Sequence, residues 1–120
     1  MRLVWIAALA FALTGCVTPG KYQWGGYEQG LYAAYKDPTK VEDLRIRLEA
    51  LIAEMERGGQ KVAPGLYAEL GTLYLQAGSA DKAIPLYAKE RDAWPESRGL
   101  MTAMIQNLER RQQSKQENAK

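Results

Sequence analysis

Apolar residues recur along most of this chain at helical spacing, and no stretch sustains the two-residue alternation of a strand. Val41, Leu44, Leu48, Leu51, Ile52 and Met55 mark one face of an amphipathic helix whose other face is charged. Tyr67, Leu70, Gly71 and Tyr74 fall at i, i+3, i+4 and i+7 of a helix from Pro64 to about Ala77, and Gly65, Ala68, Thr72 and Leu75 fall on its second face. Ala83 and Tyr87 repeat a four-residue spacing on a helix from Ala80 to Ala93. Leu100, Met101, Met104, Ile105 and Leu108 mark another from Ser97 to about Arg111. Ahead of all these, Trp24, Tyr27, Leu31 and Tyr35 predict a short first helix that ends at Lys36, with Gly30 allowing close packing. The pattern predicts an all-α protein of about five helices.

The breakers agree with those limits. Pro38 disfavours the α region at Asp37 and stops the first helix. Thr39 and Glu42 have the spacing of a capping box for the second, and Gly58-Gly59 closes it. Pro64 suits a first turn, Gly78-Ser79 separates the third and fourth helices, and Ser79 is an expected N-cap. Pro85 lies inside the fourth helix and predicts a slight kink or a late start. Gln112 to Lys120 contains no apolar residue except Ala119, which predicts a frayed or disordered polar tail. Its basic residues read as a solvated end.

Pro64 to Ser97 resembles a tetratricopeptide repeat. The aromatic Tyr67, Leu70-Gly71, Tyr74, Ala83, Tyr87 and the Pro95 that follows Trp94 stand in the order of that pattern. Glu90 departs from it, since a small residue is usual there. The resemblance implies antiparallel helical hairpins, an irregular earlier hairpin made by the first two helices, and a C-terminal capping helix that covers the exposed face of the repeat. Tyr67, Tyr74, Tyr87 and Trp94 are then core. The groove-lining face of the third helix carries Ala68, Thr72 and Leu75, a small uncharged surface suited to an apolar segment or another helix. It lacks the lysines and asparagines that clamp a peptide carboxylate.

The first fifteen residues read as an address. Met1-Arg2 is basic, Leu3 to Leu13 is apolar, and Thr14-Gly15 are small. The run is shorter than the ~20 residues that cross a bilayer. Leu13-Thr14-Gly15-Cys16 matches the lipobox of bacterial lipoproteins, in which the cysteine accepts lipid after cleavage. Residues 1–15 are therefore read as a lipoprotein signal peptide, 16–23 as acylated cysteine and tether, 24–111 as the helical domain and 112–120 as the tail. Membrane lipid is the first expected partner, through acylated Cys16. Val17 replaces the aspartate that retains lipoproteins at the inner membrane in the enteric-type rule, so the expected site is the outer membrane, facing the periplasm.

Composition narrows the chemistry. The chain has no histidine, one cysteine and a net charge of +2. A cysteine–histidine metal site and an intramolecular disulfide are impossible, and no nucleic-acid partner is expected. Glu54 and Glu56 lie two apart on a helix and diverge. No phosphate loop or dinucleotide fingerprint occurs. The reading is no enzyme, no catalytic residue, no metal, no cofactor and no small-molecule substrate. The candidate sites are partner-binding ones: Trp24, Tyr27, Tyr32 and Tyr35 near the anchor, suited to a partner or to the membrane interface, and Ala68, Thr72 and Leu75 in the groove.

Lys21-Tyr22-Gln23-Trp24-Gly25-Gly26-Tyr27-Glu28, Tyr35-Lys36-Asp37-Pro38 and Pro64 to Gly71 resemble a family of small proteobacterial lipoproteins known as a domain of unknown function. Its members tend to be encoded beside a curli-secretion-channel-like lipoprotein. The resemblance implies an outer-membrane lipoprotein or protein as partner, and a scaffold or accessory role in an outer-membrane assembly. A surface-exposed structural or adhesion lipoprotein is the alternative; an envelope-polymer enzyme ranks behind both.

Overall fold

The computed structural model describes residues 20–120. The segment read as a signal peptide, Cys16 and the first residues of the expected tether lie outside the described residues. Five helices follow in order: α1 Tyr27–Lys36, α2 Val41–Arg57, α3 Leu66–Gln76, α4 Ala80–Ala93 and α5 Arg98–Asn118. Short 3₁₀ turns at Pro38–Lys40 and Pro95–Ser97 precede α2 and α5. There is no strand among the described residues. The architecture is the expected set of helical hairpins, with α5 packed on α4 as the capping helix.

Each helix but one buries most of the face its spacing predicts; on α5, Leu100 departs from that face and is exposed. On α2, Leu44, Leu48, Leu51, Ile52 and Met55 are all buried. With Val62, Ala63, Leu66, Tyr67, Leu70 and Leu73 they form a first core between α1, α2 and α3. Ala83, Tyr87, Met101, Ile105 and Leu108 form a second core between α4 and α5, against which Ala68 and Leu75 of α3 pack. The pivot is Gly71. A Cβ there would lie 2.9 Å from Tyr87 Cε1 and 3.3 Å from the Ala83 carbonyl oxygen. Only a residue without a side chain lets α3 and α4 approach this closely.

A polar link ties three helices at the surface of the first core. The Tyr67 hydroxyl donates to Glu56 Oε1 at 2.8 Å, and Lys89 Nζ lies 2.7 Å from the same oxygen. Burial first, then the bond to Glu56, pushes the Tyr67 hydroxyl well above the usual phenol range. The Lys89 ammonium holds Glu56 below the usual carboxylate range.

The exception is α1. Trp24, Leu31 and Tyr35 are exposed, and Ala34 is the buried residue of this helix. Gly30 and Ala34, with the half-buried Tyr27, face α2; a Cβ at Gly30 would lie 3.2 Å from Leu44 Cδ1. A small-residue seam brings the backbones together and turns the large side chains outward.

Several boundaries also differ from expectation. α1 starts at Tyr27 because Gly25 and Gly26 adopt left-handed φ values of 50° and 76°, which form a turn ahead of it. The predicted Thr39–Glu42 capping box is absent. Asp37 instead caps the 3₁₀ turn ahead of α2: its Oδ1 accepts from the Thr39 amide at 3.0 Å and from the Thr39 hydroxyl at 2.7 Å. Ser79 occupies the N-cap of α4 without a side-chain capping bond. That helix starts at Ala80 and continues through Pro85, so a late start does not occur. Pro85 and Asp81 are both exposed, which leaves the missing hydrogen bond at a solvated surface. Tyr74 is only half-buried; its hydroxyl accepts from Arg45 Nη1 at 3.1 Å and joins α3 to α2. Finally, residues 112–118 are helical and continue α5. Gln112, Gln113, Lys115, Gln116 and Glu117 are good helix formers, and no glycine or proline stops them.

Candidate functional site

Two surfaces carry the candidate residues, and the fold keeps them on different elements. Trp24 stacks on Tyr27 with ring centroids 6.3 Å apart, at the N-terminal end of α1. Tyr27 is half-buried against the first core, and burial, then the neighbouring Glu69 carboxylate, raises its hydroxyl above the usual phenol range. Tyr32 is 61% exposed and Tyr35 87% exposed. Lys36 Nζ sits 4.8 Å from the Tyr32 ring centroid, a cation–π arrangement. Of the six exposed large apolar residues among the described residues, Trp24, Leu31, Tyr32 and Tyr35 fall within this one stretch.

The second surface lies between α3 and α5. Ala68, Thr72 and Leu75 are all half-buried. The Thr72 hydroxyl donates to the Ala68 carbonyl at 2.9 Å and lies 3.0 Å from the Tyr87 hydroxyl. Since the single Thr72 proton goes to the carbonyl, Tyr87 is the donor of the second bond. Thr72 thus joins α3 to α4. Leu75 remains at the edge of a groove of about 360 Å³ lined also by Ala103, Met104, Asn107, Leu108 and Arg111. The groove walls are apolar, with one amide and one guanidinium at the rim.

A larger concavity lies elsewhere, where the N-terminal segment crosses the ends of α2 and α4. It measures about 650 Å³ and is lined by Lys21, Tyr22, Met55, Gln60, Lys61 and Trp94, among others. Tyr22 meets Trp94 edge to face at 5.7 Å, and Lys61 Nζ lies 3.7 Å from the Trp94 ring centroid. The tether predicted for residues 16–23 is therefore shorter than its sequence implies, because Tyr22 already belongs to the folded domain.

Glu90 sits behind this end of α4 and was legible only as an oddity. It is 2% exposed, and its Oε1 accepts from the Gly65 amide at 2.8 Å. A carboxylate on α4 thus caps α3 across the hairpin, where the free amides and helix dipole favour an acceptor. Glu90→Ala should destabilise the domain by about 1–3 kcal/mol, because it leaves the Gly65 amide without a partner. Glu90→Gln, which keeps an acceptor, should cost less. Urea unfolding of both variants checks this; equal losses would show that the cap is not the source.

Sequence reasoning missed most of the groove. Ala103, Asn107 and Arg111 recur at i, i+4 and i+8, a small and polar stripe beside the apolar one, and that spacing was the available signal. Met104 was read as core and is half-exposed at the groove wall. Against known proteins, the profile of a family described as a domain of unknown function (DUF4810) matches residues 21–104. The match opens at Lys21, one residue before the packed Tyr22. No curated protein and no solved structure matches the chain.

Proposed function

This chain belongs to the DUF4810 family, and we propose that it is a lipid-anchored interaction module of the bacterial outer membrane that faces the periplasm. It holds a protein or lipoprotein partner of an outer-membrane assembly and carries out no reaction. The observation that supports this reading best is the α3–α5 groove. Its wall is apolar, with Leu75 and Met104 half-exposed above the buried Leu108, and Asn107 and Arg111 stand beside them to orient a bound segment. Such a groove fits the apolar face of a partner helix. The lipobox around Cys16 supports the membrane assignment, and the likeness to small proteobacterial lipoproteins supports an assembly role. The concavity near Trp94 presents Lys21 and Lys61 and no carboxylate among its lining residues, which favours binding over acid–base chemistry.

Co-purification from crosslinked envelopes tests this reading. Wild type should retain a discrete partner, and Met104→Glu, which places a charge in the groove, should lose most of it while keeping its helicity. Equal recovery from both would remove the groove as the binding surface. Recovery of the monomer alone under several mild detergents would remove the scaffold reading. Protease shaving of intact cells separates the periplasmic reading, in which the domain is protected, from a surface structural or adhesive one.

A further inference from the structure

We propose that the outward face of α1, formed by Leu31, Tyr32 and Tyr35 with Trp24 at its N-terminal end, lies in the headgroup layer of the membrane that holds the lipid anchor. The inference rests on the reading of Cys16 as acylated. It adds that the domain is oriented on the bilayer instead of swinging from it.

Three observations converge. The first is which way α1 faces. Gly30 and Ala34 seat the helix on α2 and leave Leu31, Tyr32 and Tyr35 exposed, while Trp24 stacks on the half-buried Tyr27. Tyr35, the most exposed at 87%, is four residues from Leu31 and three from Tyr32, which places all three on one side of the helix.

The second is chemistry. Tyrosine and tryptophan combine an apolar ring with a polar tip and concentrate at membrane–water interfaces. Lys36 lies over Tyr32 and Lys21 lies over Tyr22, 5.5 Å from its centroid. Their long stems can follow the rings while the ammonium groups meet lipid phosphates. A protein-binding hot spot needs a pocket that excludes water around the aromatic anchor. α1 offers a convex row, whereas the groove is on α3 and α5.

The third is distance. Tyr22 is fixed against Trp94, and a Cβ at Gly25 would come 2.6 Å from Leu51 Cδ1, so the segment leading into α1 lies tight on the domain. Only the chain between Cys16 and Tyr22 is left to span the gap, and six residues reach at most about 20 Å. Trp24 follows two residues later. That short reach keeps the N-terminal end of the patch within range of the interface, whose polar layer is about 5–8 Å deep on each side.

The test uses the mature acylated protein in phosphatidylethanolamine–phosphatidylglycerol vesicles, with plain or chain-brominated lipids. Trp24 and Trp94 are the tryptophans after the signal peptide, and Trp94 is buried. Flotation with the vesicles reads the anchor; quenching by bromine reads the contact. Trp24 emission should fall by more than about twofold in brominated vesicles, and Trp24→Phe should abolish the quenching. Tyr32→Ser/Tyr35→Ser should float as well as wild type yet lose most of the quenching, and exposed positions such as these leave the fold intact. Flotation with identical emission in both lipids would overturn the proposal and leave the anchor standing. Protection of α1 by a bound protein while Trp24 stays unquenched would give this face to that protein and overturn it too. Failure to float, with no acyl mass on the protein, would refute the anchor and the proposal together.

Discussion

Tyr87→Ala should destabilise the domain by about 3–5 kcal/mol, the range for removing a fully buried aromatic side chain. Tyr87 is 0% exposed and lies where the second core meets the α3–α4 hairpin. Its ring covers Gly71, and its hydroxyl donates to Thr72. Truncation would open a cavity bordered by Gly71, which has no side chain to fill it, and would take support from Met101, Ile105 and Leu108 on α5. Since a domain of this size is stable by only about 5–15 kcal/mol, much of the protein should unfold or lose the α5 packing. Tyr87→Phe separates ring from hydroxyl. It keeps the packing, leaves Thr72 bonded to Ala68, and should cost about 1 kcal/mol. Chemical denaturation with helicity as the signal measures both. A Tyr87→Ala loss under about 1 kcal/mol would mean that α3, α4 and α5 do not share this core.

Cys16→Ser should move the protein from the membrane fraction to the soluble one, or leave it as uncleaved precursor. Serine offers no thiol for the lipid. One acyl chain gives only marginal binding, whereas two or more hold a protein stably at a bilayer, so losing all of them should abolish retention. Fractionation and intact mass of the mature protein read the two outcomes. Unchanged fractionation with an unchanged mass would refute the lipobox.

The helices were legible because their apolar spacing and their breakers agreed. Leu44, Leu48, Leu51, Ile52 and Met55 are buried in the predicted register, and Gly71 meets Tyr87 as the repeat pattern implies. Legibility failed where a residue's partner was distant in sequence or where a small residue outranked a large one. On α1 the aromatics suggested the buried face, but Gly30 and Ala34 seat the helix on α2 with Tyr27 half-buried beside them, and Leu31, Tyr32 and Tyr35 turn outward. Glu90 breaks the repeat pattern, and its reason lies twenty-five residues back at Gly65. The tail reads as unstructured because it has no apolar face, yet local propensity carries α5 to Asn118. Of the candidate groove residues, Leu75 lines the concavity against α5; the opposing wall on α5 was hidden because Met104 and Leu108 also satisfy a core pattern.

Site-specific photocrosslinking in living cells tests the central claim most directly. A photoreactive residue at Asn107, on the groove rim, should trap one discrete envelope protein, and the same residue at exposed Asp81, outside the groove, should trap none. A matching product from both positions, or none from Asn107 in properly anchored protein, would contradict the assignment of the α3–α5 groove as the partner site.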